Sequence, residues 1–174
     1  MGQKAKLSPM PRQPSKPADA IAFHRSAAPQ FTTTDAQRIL LEQFGLRAHC
    51  TDFSSDIDRN FYARAEDGNR WVLRIASEFE ERQTLDLQNR AMQRVGEALP
   101  GLVPTVKNSV DGRAMERVVA PDGREDWVRL VSFLPGELIS DTADVDPATW
   151  RGLGELLATV DLALVGFEHD AADR

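Results

Sequence analysis

The segment "FSSDIDRNFYARAEDGNRWVLRI", residues Phe53 to Ile75, constrains the fold more than any other stretch, because two strand-like runs flank "EDGN". That tetrapeptide is a strong turn signal, so the pair reads as a β-hairpin. A polar loop, Ser54 to Arg59, precedes the hairpin, and its second strand carries one cation, Arg74, among apolar neighbours. A charge in that setting needs a purpose, because a strand flanked by others buries most of what it carries.

The 174 residues suffice for one domain of ordinary size, or for a small lobe with a tail. The net charge of −6 argues against a broad nucleic-acid surface or an anionic membrane as the main partner. The single cysteine, Cys50, precludes an internal disulfide framework and fits a reducing compartment, so cytoplasm is the default expectation. No apolar run approaches the roughly 20 residues that span a bilayer. The opening residues lack the apolar block of a secretory signal, and Lys6 stands where a myristoylation site needs Ser or Thr.

Four prolines precede Asp19, basic residues recur, and large apolar residues are scattered, so Met1 to about Ala28 reads as a disordered basic extension. From Phe31 the pattern changes. "FTTTDAQRILLEQFGL" offers Thr or Asp caps, then Ile39, Leu40 and Phe44 at helical spacing and Gly45 as a stop. Strands follow near Arg47 to Phe53, Asn60 to Ala65 and Arg70 to Ile75. A longer helix places Leu85, Met92, Val95 and Leu99 on one stripe and ends at Pro100 and Gly101. "GLVPTVKNSV" and "WVRLVSFL" read as two more strands, joined by a stretch whose "DGR" and "PDGRED" suggest an exposed turn, which brings the expected sheet to five. After "LPGE", Asp146 caps a final helix, Pro147 opens it, and Trp150, Leu153, Leu157, Val160 and Leu164 form an apolar face. Such a face needs a partner; the sequence favours one outside the chain over the sheet.

This order of elements has the layout of a kinase small lobe. A hairpin laid over a triphosphate needs N–H groups turned toward anionic oxygens and a cation on the third strand that reaches the phosphates from below. Arg74 is placed for that task. Ser54, Ser55, Asp56 and Asp58 can make side-chain turns that fix backbone amides, and Arg59 and Asn60 add donors.

Four stretches in this order, "FSSDIDRNFYARAEDGNRWVLRI", "LDLQNRAMQRV", "VRLVSFLPGELI" and "LGELLATVDLALVGFEHDAADR", resemble the aminoglycoside phosphotransferase family of small-molecule kinases. Within it they are most similar to the hydroxylysine kinase branch. The resemblance runs from Phe31 to the end of the sequence. It implies an α+β, protein-kinase-like small lobe and hinge over residues 29–139, with a five-stranded antiparallel sheet and a packed helix, and the first helix of a truncated large lobe over 140–174. It further implies that Ser54 to Asn60 cover the phosphates of ATP or GTP, that Arg74 holds them, and that Val128 to Leu134 lead into a hinge, Ser132, Phe133 and Leu134, whose backbone meets the base. Magnesium and a small-molecule hydroxyl acceptor, such as hydroxylysine, an amino alcohol or an aminoglycoside, are expected only for the complete enzyme.

The sequence departs from the family pattern in three places. The third-strand cation is commonly lysine and here is Arg74, which keeps the charge but has a different reach. The helix residue that pairs with it is commonly glutamate, whereas Asn89, beside Gln88, falls there. The "HGD" motif with its asparagine and the second, metal-binding aspartate are missing; His24, His49 and His169 lack the downstream asparagine. Without a base and metal carboxylates a lobe can hold nucleotide but transfer nothing, so the chain reads as the amino-terminal half of a kinase, open between an inert gene fragment and a half that meets a complementing large lobe. Blander readings stand beside these. Arg74 fits an edge strand with its head in solvent, the Ser/Asp loop a plain connection, the histidines surface or hydrogen-bonded groups, and Cys50 and the three tryptophans packing positions. A nucleotide-free interaction module built on the Trp150–Leu164 face is the rival function.

Overall fold

The computed structural model describes residues 30–55, 58–77, 80–137, 139 and 145–172. The expected extension, Met1 to Ala28, and the loop residue Asp56 lie outside the described residues.

Helix α1, Thr33–Phe44, starts at a capping box, in which the Thr32 hydroxyl accepts from the Asp35 amide and the Asp35 carboxylate accepts from the Thr32 amide. Gly45 ends it in the left-handed region at φ 64°, which lets its own amide and that of Leu46 reach back to Leu41 and Leu40. Strands β1 (Ala48–Phe53), β2 (Arg59–Ala65) and β3 (Arg70–Ile75) form the expected antiparallel meander. Helix α2, Arg82–Ala98, follows; then β4 (Val106–Lys107), β5 (Glu116–Val119), β6 (Glu125–Ser132) and helix α3, Pro147–Ala163.

The sheet has six strands rather than five, in the order β1-β2-β3-β6-β4, with β5 also paired to β6. The stretch read as an exposed turn contains β5, which forms a hairpin with β6 around "PDGR". Four residues between two Asp-Gly turns are too few to show a period, and the long strand expected at "GLVPTVKNSV" shrinks to Val106–Lys107 because Pro104 removes a ladder donor just before it.

Strand β6 lies inside the sheet, between β3 on one edge and β4 and β5 on the other. The two faces are covered differently. Ile39, Leu40 and Phe44 of α1 pack on Phe61, Ala63, Leu73, Ile75, Val128 and Leu130, all nearly solvent-free. On the opposite face α2 covers one end, where Leu85 joins Ala76, Met115 and Trp127. The rest of that face lies beside α2 and carries the site. None of the helices is long and apolar enough to cross a membrane among the described residues.

Candidate functional site

Antiparallel register puts directly paired residues on the same face. Asn60 pairs with Arg74 and Arg74 with Arg129, so these three form a row across β2, β3 and β6 on the α2 side of the sheet. Tyr62, Val72 and Val131 form the next row, two residues along each strand, or about 7 Å away. An apolar row thus adjoins a polar, doubly cationic one. Phe133 closes the apolar end, with its ring edge-on to Tyr62 at 5.0 Å and to Phe53 at 6.2 Å between centroids.

Arg74 points into this face, toward the loop between β1 and β2. Its Nη2 donates to Asp58 Oδ2 at 2.8 Å, and the side chain keeps about a third of its surface exposed. The edge-strand reading of Arg74 does not describe this geometry. Arg129 is 3% exposed; its Nη1 donates to Asn89 Oδ1 at 2.9 Å and its Nη2 to Gln88 Oε1. Burial first, and then the neighbouring Arg74, pull the Arg129 pKa down to about 10, so it stays charged at neutral pH. Asp58 and Glu80 act the other way.

The sequence-expected residues divide into two groups. Asn60 and Arg74 come together, whereas Asn89, expected to orient Arg74, gives its carbonyl oxygen to Arg129. Ser54 and Ser55 are exposed on the loop after β1. Arg59 pairs with Ile75 and therefore turns to the α1 face, where it donates to Phe31 O and Asp52 and lies over the Phe61 ring. Ser132 and Phe133 spend their amides on Thr105 O and Arg70 O, and Leu134 is exposed. Of the tryptophans, Trp71 and Trp127 are partly buried, but Trp150 is 54% exposed and joins neither core cluster of the described residues. Cys50 is buried and its thiol is pushed up to about 11 by that burial, which leaves it unreactive.

Several buried polar atoms at this face have no hydrogen-bond partner among the described residues: Asn60 Oδ1, Arg74 Nε, Ser77 Oγ and Asn89 Nδ2. Such atoms are costly to leave unmade, and here they surround Arg74 and Arg129. No group of three or more His, Cys, Asp or Glu placed to hold a metal ion occurs among the described residues.

A sequence model described as "Phosphotransferase enzyme family" matches residues 49–174. The chain belongs to that family. Two solved structures share the chain's fold: an amicoumacin kinase in complex with AMP-PNP, Ca2+ and Ami, at TM-score 0.64 and 12% identity, and a microcompartment-associated aminopropanol kinase, at 0.63 and 16%. The alignments cover 80% and 81% of this chain but 42% and 43% of those proteins. It therefore spans less than half of their length. No curated protein matches it in sequence.

Sequence reasoning missed Arg129. "WVRLVSFL" reads as an apolar central strand, and only the pairing of β3 with β6 sets its arginine beside Arg74. The one available signal was a charge inside that run.

Proposed function

We propose that this chain is the nucleotide-binding portion of an ATP- or GTP-dependent small-molecule phosphotransferase. The observation that carries the reading is the pair of adjacent rows on one sheet face, apolar at Tyr62, Val72 and Val131 and cationic at Arg74 and Arg129. A nucleoside triphosphate has the same division: a flat base that favours apolar walls and a polyanion that favours guanidinium groups. In this reading Arg74 and Asn60 meet the phosphates, Ser54, Ser55 and Asp56 cover them from the loop, and the hinge meets the base through the Leu134 amide and the carbonyls of Ser132 and Phe133. Asn89 acts indirectly, by holding Arg129, while Arg59 supports the loop from the other face. The Arg74 side chain, about a third exposed and bonded to Asp58 through one nitrogen, fits an anionic ligand there. When bound, the triphosphate supplies the phosphoryl group; magnesium ligands and the base for the acceptor hydroxyl belong to a large lobe.

The test is a titration of the purified chain with a fluorescent ATP analogue and magnesium, with Arg74→Ala alongside. Binding in the high micromolar to millimolar range is expected. The arginine variant should weaken it about tenfold, as befits loss of a charge-assisted bond to phosphate. An unchanged affinity would remove Arg74 from the site.

A second reading, a nucleotide-free interaction module, is favoured by one observation: Trp150, Leu157 and Leu162 of α3 are more than half exposed. Melting curves separate the two, since a ligand that binds only the folded state raises its stability. Absence of any shift at millimolar MgATP would select the module.

A further inference from the structure

We propose that Asp58 is the residue that positions Arg74, the task that the resemblance gives to a carboxylate on helix α2, and that the α2 amides hold Arg129 instead. The inference rests on the nucleotide reading and adds to it a positioning residue outside the expected helix. Two guanidinium groups paired across neighbouring strands repel one another, so each needs its own restraint. Arg129 has one: Asn89 and Gln88 grip its two terminal nitrogens from α2. These amides are neutral and fix direction without cancelling charge. Both amide oxygens are thus directed at Arg129 and not at Arg74.

Asp58 restrains Arg74 from the opposite side. The carboxylate stands one residue before β2, is only 11% exposed, and accepts from Arg74 Nη2 at 2.8 Å. Its other oxygen faces the Ser77 amide at 3.4 Å, just past the end of β3. The acid is therefore held against the sheet and does not swing with the exposed serines. A guanidinium has five N–H donors, and Asp58 engages one of them. The side chain keeps about a third of its surface exposed, so its remaining terminal N–H groups are available to an anion. A carboxylate that saturated Arg74 would be a resident competitor for phosphate; one that takes a single proton from a clamped position aims the group. The two roles predict opposite signs.

The experiment measures affinity for MgATP by isothermal titration on the full chain and on Asp58→Asn, Arg74→Ala and the double variant. Each is first checked for a cooperative melt. Asparagine keeps the acceptor for the Ser77 amide, so the fold should hold. Positioning predicts that Asp58→Asn weakens binding about tenfold, the scale of one charge-assisted bond, and that the double variant binds no worse than Arg74→Ala alone. Additive losses, an unchanged affinity or a tighter one in Asp58→Asn would each overturn the assignment; the tighter one would make Asp58 a competitor. If the parent chain binds no MgATP, the nucleotide reading fails, and this inference with it; if Arg74→Ala binds as the parent does, Arg74 lies outside the site and this inference alone fails. Should the asparagine variant not melt cooperatively, Asp58→Glu decides: affinity within about threefold of the parent supports positioning, because the charge and one added methylene still reach Arg74, and a larger loss overturns it.

Discussion

Arg129 shows what one side chain can hide in a sequence. Its neighbours Val128, Leu130 and Val131 are as apolar as a central strand demands, and all are nearly solvent-free. What no local pattern states is that β6 lies next to β3, because that adjacency is set by the chain between the two strands, Ala76 to Arg124, folding away. Arg74 was legible because the hairpin around it is local; its partner Asp58 was legible only as part of a polar loop. Truncation of Arg129 should be costly for two reasons. It leaves a cavity, and it strips Asn89 Oδ1 and Gln88 Oε1 of their donor in a dry site. Arg129→Ala is expected to lower stability by about 2–4 kcal/mol, and Arg129→Met, which refills the volume but not the hydrogen bonds, by roughly half as much. Urea denaturation measures both. Equal midpoints for the parent and the alanine variant would mean that the guanidinium contributes nothing to the core.

At the scale of elements, the helices were legible through their ends: Thr32 with Asp35, Gly45, and Asp146 with Pro147 all do what their residue types suggest. Strand β5 was not. It buries Glu116, whose carboxylate is paired with Arg113 at 2.7 Å, and a buried glutamate between turns looks exposed in sequence. Nor did the sequence show that α2 holds the last described segment. His169 Nδ1 accepts from the Ala171 amide, so its proton sits on Nε2, which faces Asp86 Oδ2 at 3.0 Å; Arg94 Nε donates to Ala163 O. The bond from His169, and then Arg90, keep the Asp86 carboxyl below its usual 3.8. The sign follows directly. A carboxylate depressed in the folded state contributes stability that is present above pH 3.8 and lost as pH falls through the lower, folded value. Acidification from pH 5 to about 2.5 should therefore release residues 164–172 from α2, read as faster amide exchange in that segment than in β2 and β3. In Asp86→Ala the segment should exchange fast at pH 5 already. Equal protection of the parent at both pH values would show that this contact does not hold the segment.

At the scale of the whole molecule, helix α3 is the element that packing among the described residues does not account for. Its caps and apolar face were evident from residue spacing, but none of its residues is buried, and Trp150 and Leu157 are each more than half exposed. A helix formed without a covered face has to draw its order from capping and from contact with α2. The fold neighbours are more than twice as long as the aligned part, which agrees with α3 opening a second lobe in the proposed enzyme. Its apolar side chains would then be covered by that lobe and not by the sheet. The two arrangements separate in energy. If α3 is uncovered in this chain, the paired change Trp150→Glu and Leu157→Glu removes no buried surface and should change the unfolding free energy read from urea denaturation by no more than about 0.5 kcal/mol, the range of ordinary surface substitutions. Binding of a hydrophobic dye should fall in the same variant, because the exposed apolar patch is gone. If the face docks on the sheet in solution, two glutamates would be forced into an apolar contact, at a cost of roughly 3 kcal/mol or more. A loss of that size, measured in dilute protein where self-association is absent by sedimentation, would place the partner of α3 inside this chain and end the argument for a second lobe resting on it.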